Sequence, residues 1–300
     1  MKQNIQIILA SSILGLKPTG VEKLGQSLID TGRFDNFLFA KPMIEISNLN
    51  EEYSTTRDAM TNCLNTQSIH DFSITLMHCI AEQIDKSSFS IVLGGDCSIL
   101  IGILPGLKTK GRYGLIFLDA HADFYEPEKS PTGEVADMEL AIVTGREPKK
   151  LSQINNLQPY VEEKNVVHVG QRDHEETKDY DSQDIQKTAI KTFDLHTIES
   201  LGIDKVGKNV IHHMNTLDLD GFWIHFDTDV INDDENPAVD YRLKGGLSFN
   251  EVSILLQQLM QTEKIKGMSV TIYNPNLDLE GQVAVKISDC IITALDKNGC

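Results

Sequence analysis

Three short segments concentrate side chains that can hold a divalent cation. Asp119-Ala120-His121-Ala122-Asp123 alternates two carboxylates and an imidazole with alanines. Alternate side chains on an extended backbone point to one side, so the three donors share a face. Asp227-Thr228-Asp229 repeats the device. Four carboxylates gathered without a cation repel, and some stay protonated. Divalent ions remove that penalty, and oxygen donors with one imidazole suit manganese or an ion like it. Carboxylates can also bridge two ions, and a pair about 3.5–4 Å apart can hold and deprotonate a water between them. The third segment, Gly94-Gly95-Asp96-Cys97-Ser98, adds a thiol. His225 precedes Asp227 by two residues and so points with it on a strand, as an outer partner of the cluster or as a packed histidine.

Each segment follows a short apolar run. Such runs cover 5–10, 90–93, 114–118, 166–169, 221–226 and 267–272, rich in β-branched and aromatic residues and bounded by turn formers. They have the pattern of strands buried on both faces of a parallel sheet. Helical spacing lies between them, over 71–84, 98–107 and 249–263, the last opened by Ser248 as N-cap with Glu251 three residues on. The alternation predicts an α/β fold, one doubly wound and mainly parallel sheet with helices on both faces. Ligands of such sheets bind at the carboxyl ends of the strands, where these donors lie. No linker, repeat or low-complexity tract interrupts the chain, which reads as a single domain over 1–300. The stretches 175–186 and 233–235 read as exposed loops.

Composition narrows the partners. The 300 residues carry 27 Lys and Arg against 44 Asp and Glu, a formal charge of −17. That surface repels phosphate backbones and anionic lipid, so neither nucleic acid nor membrane is expected as a partner. It suits cations, whether metal ions or amino and guanidino compounds. Five cysteines, at 63, 79, 97, 290 and 300, form no Cys-x-x-Cys pair and no disulfide framework, which fits a reducing cytoplasm. The apolar stretch 5–16 follows Lys2 but is broken by Ser11, Ser12 and Gly15 and reads as a first strand, not a signal peptide.

These motifs, in this order, resemble the ureohydrolase superfamily of arginase, agmatinase and formimidoylglutamase. Gly94-Gly95-Asp96-Cys97-Ser98 is similar to its Gly-Gly-Asp-His-Ser segment, and Asp119-Ala120-His121-Ala122-Asp123 matches its second motif. Gly170-Gln171-Arg172-Asp173 resembles its Gly-Leu-Arg-Asp segment, and Leu14 to Gly20 its loop after the first strand. Asp227-Thr228-Asp229 and Gly245-Gly246-Leu247 match its later motifs. The resemblance spans nearly the whole chain. It implies an arginase-like three-layer fold, a cytoplasmic trimer or hexamer, and a hydrolase of carbon–nitrogen bonds in small cationic amidines or guanidines. It implies two divalent ions, manganese by family habit, with a bridging hydroxide as nucleophile. One ion would take Cys97, Asp119, Asp123 and Asp227, the other Asp119, His121, Asp227 and Asp229, and Asp123 would also orient the hydroxide.

Four departures mark a divergent member. Cys97 stands where the family has a histidine ligand; as a thiolate it would favour zinc or iron, and otherwise it is a buried strand-end thiol. Ile272 stands where arginase and agmatinase carry the glutamate that receives the guanidinium. Ala136 occupies the place of arginase's proposed proton-shuttle histidine, with Glu134 and Asp137 as substitutes for the shuttle or for substrate contact. Tyr125 replaces an asparagine that holds arginine's carboxylate, while Glu175 falls near the aspartate that contacts its amino group or is a solvated turn residue. Two functions follow: an amidine or guanidine hydrolase that is no efficient arginase, or a non-catalytic, regulatory protein with an impaired site.

Overall fold

The computed structural model describes residues 5–35, 42–47, 53–85 and 88–296. Its eight strands are β1 (Ile5–Ser11), β2 (Ile44–Ser47), β3 (Phe89–Gly94), β4 (Tyr113–Leu118), β5 (Val166–Val169), β6 (Lys191–Phe193), β7 (Gly221–Asp227) and β8 (Ile265–Thr271). Every pairing is parallel, in the order β2-β1-β3-β8-β7-β4-β5-β6. β3 and β7 are buried along their whole length, as continuous apolar strands covered on both faces must be.

The helices are α1 (Leu24–Asp30), α2 (Thr66–Asp85), α3 (Leu100–Lys108), α4 (Glu139–Val143), α5 (Lys149–Ser152), α6 (His174–Asp179), α7 (Leu195–Leu201), α8 (Ile203–Thr216), α9 (Phe249–Met260) and α10 (Gln282–Leu295). They make two cores. α1, α8, α9 and α10 pack apolar stripes on one face of the sheet. α2, α3, α4 and α5 cover the other. The doubly wound sheet inferred from the alternation of apolar runs is the one observed. The edge strands β2 and β6 escape that reading because, at four and three residues, they are too short to stand out. α2 starts five residues earlier than its spacing predicts, and α6 overlaps the start of the stretch 175–186 read as a loop. The Ser248 capping box is present, Ser248 Oγ accepting from Glu251 N at 3.2 Å and Glu251 Oε2 from Ser248 N at 2.8 Å.

Strand order brings the motifs together. β3, β8, β7 and β4 are consecutive neighbours, with Leu93 beside Val270, Thr271 beside Asp227, and Phe226 beside Leu118. Residues 94–98, 119–123, 227–229 and 272–275 thus emerge at one rim of the sheet, although they are far apart in the chain. Asp96 locks that rim. Its carboxylate accepts from Ser98 N at 2.9 Å, Ser12 Oγ at 2.9 Å and Gly15 N at 3.2 Å, tying the loop after β1 to the end of β3. The approach is so close that a Cβ on Gly95 would lie 1.7 Å from Ser12 O.

Candidate metal centre

Asp119 follows β4 and Asp227 ends β7, and both side chains are fully or nearly fully buried. Donor atoms of Asp119, His121 and Asp123 lie within 4.8 Å of one another, and so do those of Asp119, Asp227 and Asp229. Asp119 therefore stands at the centre of the acidic group. His121 Nδ1 lies 2.9 Å from Asp229 Oδ2 and 3.6 Å from Asp119 Oδ1. Backbone amides orient the carboxylates: Asp119 Oδ1 accepts from His121 N at 2.7 Å, Asp227 Oδ1 from Asp229 N at 2.8 Å, and Asp229 Oδ1 from Ala120 N at 3.1 Å. Arg172 fastens the segment from outside, donating to the carbonyls of Asp229 at 2.7 Å and Ile231 at 3.3 Å. Asp123 adopts a left-handed φ of 45°, a strained conformation that recurs where side-chain aim matters.

Cys97 is fully buried beside them. Its thiol donates to Asp227 Oδ2 at 2.8 Å and lies 3.0 Å from Thr271 Oγ1. Asp119, Asp227 and Cys97 are thus contiguous. Two more buried residues join them, Glu139, which spacing does not single out, and His225, read from spacing as an outer partner or a packed histidine. Glu139, the first residue of α4, and His225 of β7 place donor atoms within 4.8 Å of those of Cys97 and Asp119. A glutamate interrupting the apolar run 138–143 was the available signal for the first.

Crowding makes the proton inventory unusual. Burial and the Asp229 charge push the Asp119 carboxyl up to about 7. Burial, then Asp119 and Glu139, raise Asp123; burial, then Asp229 and Asp119, raise Asp227. Burial works against a charged His121, yet Asp229 and Asp119 carry its imidazole well above the usual range. Asp229 is held low because His121 and Arg172 outweigh its burial. Burial lowers His225 to about 3, leaving a neutral ring with a lone pair. Asp119 Oδ2 is buried and meets no hydrogen-bond donor. Oxygen donors with one imidazole, an orphaned buried carboxylate oxygen and unrelieved repulsion suit divalent cations.

A cavity of about 240 Å³ opens above this floor, lined by His121, Asp123, Asp227 and Asp229. Glu134, Asp137, Ala136, Tyr125 and Ile272 also line it. Glu134 accepts from the Tyr241 hydroxyl at 2.8 Å. Asp137 Oδ2 accepts from Ser130 Oγ at 2.6 Å and Thr132 Oγ1 at 3.1 Å, its Oδ1 has no partner, and burial lifts it to about 7. Glu176 lines the cavity and Glu175 does not; the latter is an exposed residue of α6. Ile272 belongs to a small apolar cluster with Leu16, Val21, Cys97 and Val239, and its φ of 72° is rare for a β-branched residue. Its backbone is held there by Ile272 N donating to Gly95 O at 2.9 Å.

Known proteins share this arrangement of sheet and sequence. The sequence model of the Arginase family matches residues 43–295. A Staphylococcus aureus arginase is 31% identical over 293 residues, covering 93% of each chain. The arginase of Bacillus caldovelox superposes with a TM-score of 0.89 at 24% identity over 99% of this chain and 100% of its own. The formimidoylglutamase of Bacillus subtilis reaches 0.72 at 15% identity over 98% and 85%. The chain belongs to the arginase family, within the ureohydrolase superfamily, and has that family's fold.

Proposed function

We propose that this protein hydrolyses a carbon–nitrogen bond in a small linear amidine or guanidine and that arginine is a poor substrate for it. The observation that carries the reading is the meeting of Asp119, His121, Asp123, Asp227 and Asp229 on the floor of a cavity whose wall includes Ile272. Asp119, Asp123, Asp227 and Asp229, with His121 and Cys97, would hold two divalent ions. Such ions supply a water that is nucleophilic near neutral pH and neutralise charge developing on the substrate.

The chain's own residues do the rest. Asp123, which lines the cavity, accepts a hydrogen bond from the attacking water and aims it. Asp137 faces the same space with a carboxyl near neutrality and an unpartnered oxygen, the properties of a proton carrier to a leaving amine. Glu134, anchored by Tyr241, offers the carboxylate that receives a substrate cation. Leu16, Ala136 and Ile272 give the cavity an apolar wall and exclude water. Arginine would lose its guanidinium partner at Ile272 and a carboxylate contact at Tyr125. Each lost charge-assisted contact is worth about 1.5–3 kcal/mol, roughly one to two decades of transition-state binding.

The test is ammonia or urea release from a panel of amidines and guanidines by manganese- and zinc-loaded enzyme. Turnover of a small amidine with arginine near background is expected. A kcat/KM on arginine of ~10⁴ M⁻¹s⁻¹ or higher would overturn the specificity. Ile272, Ala136 and Tyr125 in the cavity wall also favour a second reading, a regulatory protein that binds such compounds without cleaving them. Saturable binding with no turnover across the panel would select it.

A further inference from the structure

The deepest part of the centre differs in chemistry from its mouth. Around Asp119, Cys97, Glu139 and His225 present one sulfur, one nitrogen and carboxylate oxygens within 4.8 Å of one another. All four residues are fully buried. Apart from the Asp123 carboxyl, neither carboxylate oxygen of Glu139 meets a hydrogen-bond donor, and Asp119 Oδ2 meets none. Glu139 stands carboxyl to carboxyl with Asp123, the pair held together by one shared proton, with Asp123 on the donating side. Crowded buried carboxyls that need a proton between them, beside the orphaned Asp119 oxygen, are expensive, and a cation can stand where that proton does.

The surroundings are built for a ligand set. His225 Nδ1 lies 2.9 Å from Ser269 Oγ, which also accepts from Trp223 Nε1 at 3.1 Å. With Nδ1–H donated to Ser269, the Nε2 lone pair turns toward the cluster. Outer contacts of this kind orient metal-binding histidines. The ring is clamped by stacking on Phe117 at 5.0 Å between centroids. Cys97 Sγ and His225 Nε2 both border Thr271 Oγ1, at 3.0 and 3.4 Å. Four donors around one ion at bonds of about 2.0–2.3 Å sit closer together than this, so binding draws the four side chains inward.

We propose that Cys97, Asp119, Glu139 and His225 form a buried site for one thiophilic divalent ion, zinc by class. The thiolate sets it apart from the oxygen-rich donors Asp119, Asp227 and Asp229 with His121, which suit manganese. The centre is then chemically asymmetric, with Asp119 common to both halves. The site shares Cys97 and Asp119 with the ions of the proposed function and deepens that reading, but it is a claim about binding and is tested by binding.

The experiment uses the full chain, stripped with chelator and titrated with cobalt and then zinc. Cobalt bound through Cys97 gives a thiolate-to-metal charge-transfer band and the intense visible bands of four-coordinate cobalt, which zinc bleaches at one equivalent. The charge-transfer band should persist in Asp229→Ala, which removes a donor of the oxygen-rich half and none of these four. The charge-transfer band should vanish in Cys97→Ser. Glu139→Gln, nearly the same shape, should stay folded by circular dichroism and lose about 100-fold or more in zinc affinity, beyond the usual loss for an outer contact. A folded wild type without the charge-transfer band, or Glu139→Gln binding zinc as tightly as wild type, would overturn the site. Amidine turnover plays no part in these readouts, so a failure of the proposed activity is seen separately.

Discussion

Ile272 puts a β-branched side chain on a backbone with φ of 72° inside the cavity. Such residues are disfavoured there because both Cγ branches crowd the backbone. The resemblance to arginase assigns this position to a carboxylate that grips a guanidinium. Replacing Ile272 by Glu removes the branching and offers the missing anion. We expect arginine turnover to rise roughly ten- to hundred-fold, the worth of one charge-assisted contact. Thermal stability should fall, because the new carboxylate is buried without a partner until substrate arrives. Steady-state kinetics and a melting curve on the same preparation check both halves. Unchanged kcat/KM on arginine in a folded variant would show that another residue sets specificity.

Among the elements, the junction of the first loop with β3 bears most on the site. Asp96 holds it by three hydrogen bonds, to Ser12, Gly15 and Ser98, and it sits directly before Cys97. Asp96→Ala strands those buried donors, and we expect a loss of about 2–4 kcal/mol, readable from urea denaturation. Metal affinity should weaken with it, since the turn that carries Cys97 loses its anchor. A variant within about 0.5 kcal/mol of wild type, the range of neutral surface changes, would show that the loop docks by packing alone. At this scale the central strands and the helices α2, α3 and α9 were readable from periodicity. The edge strands β2 and β6 were not, since a three- or four-residue segment becomes a strand only when a neighbour offers its hydrogen bonds.

Across the whole molecule, the balance of charge predicts how stability follows pH. Without metal, burial pushes Asp119 and Asp137 up to about 7, and His121 is raised as well. Unfolded carboxyls ionise near ~4. The folded chain therefore holds more protons than the unfolded chain in the window between, and its stability falls as pH climbs through 7. Melting temperatures of chelator-treated protein should drop from pH 5 to pH 8. Adding the divalent ion should flatten the curve, since a cation then does what a proton did. A melting temperature that climbs over the same range in chelator would refute this account.

The sequence by itself determined the donor types, their spacing and the strands that carry them. Asp119, His121 and Asp123 alternate, and that alternation has one physical reading on an extended segment. The substitutions Cys97, Ile272, Ala136 and Tyr125 were equally plain once the motifs were aligned with a family. Only the tertiary structure decided that β3, β8, β7 and β4 are neighbours, so that Cys97 meets Asp227 across 130 positions of chain. It alone brought Glu139 to the cluster, and it placed His225, which spacing had pointed the same way as Asp227, beside Cys97 and Asp119. Spacing does not single out Glu139, because sequence spacing encodes local geometry. Which buried groups share a space depends on strand order and helix docking, and those are settled by packing over the whole sheet.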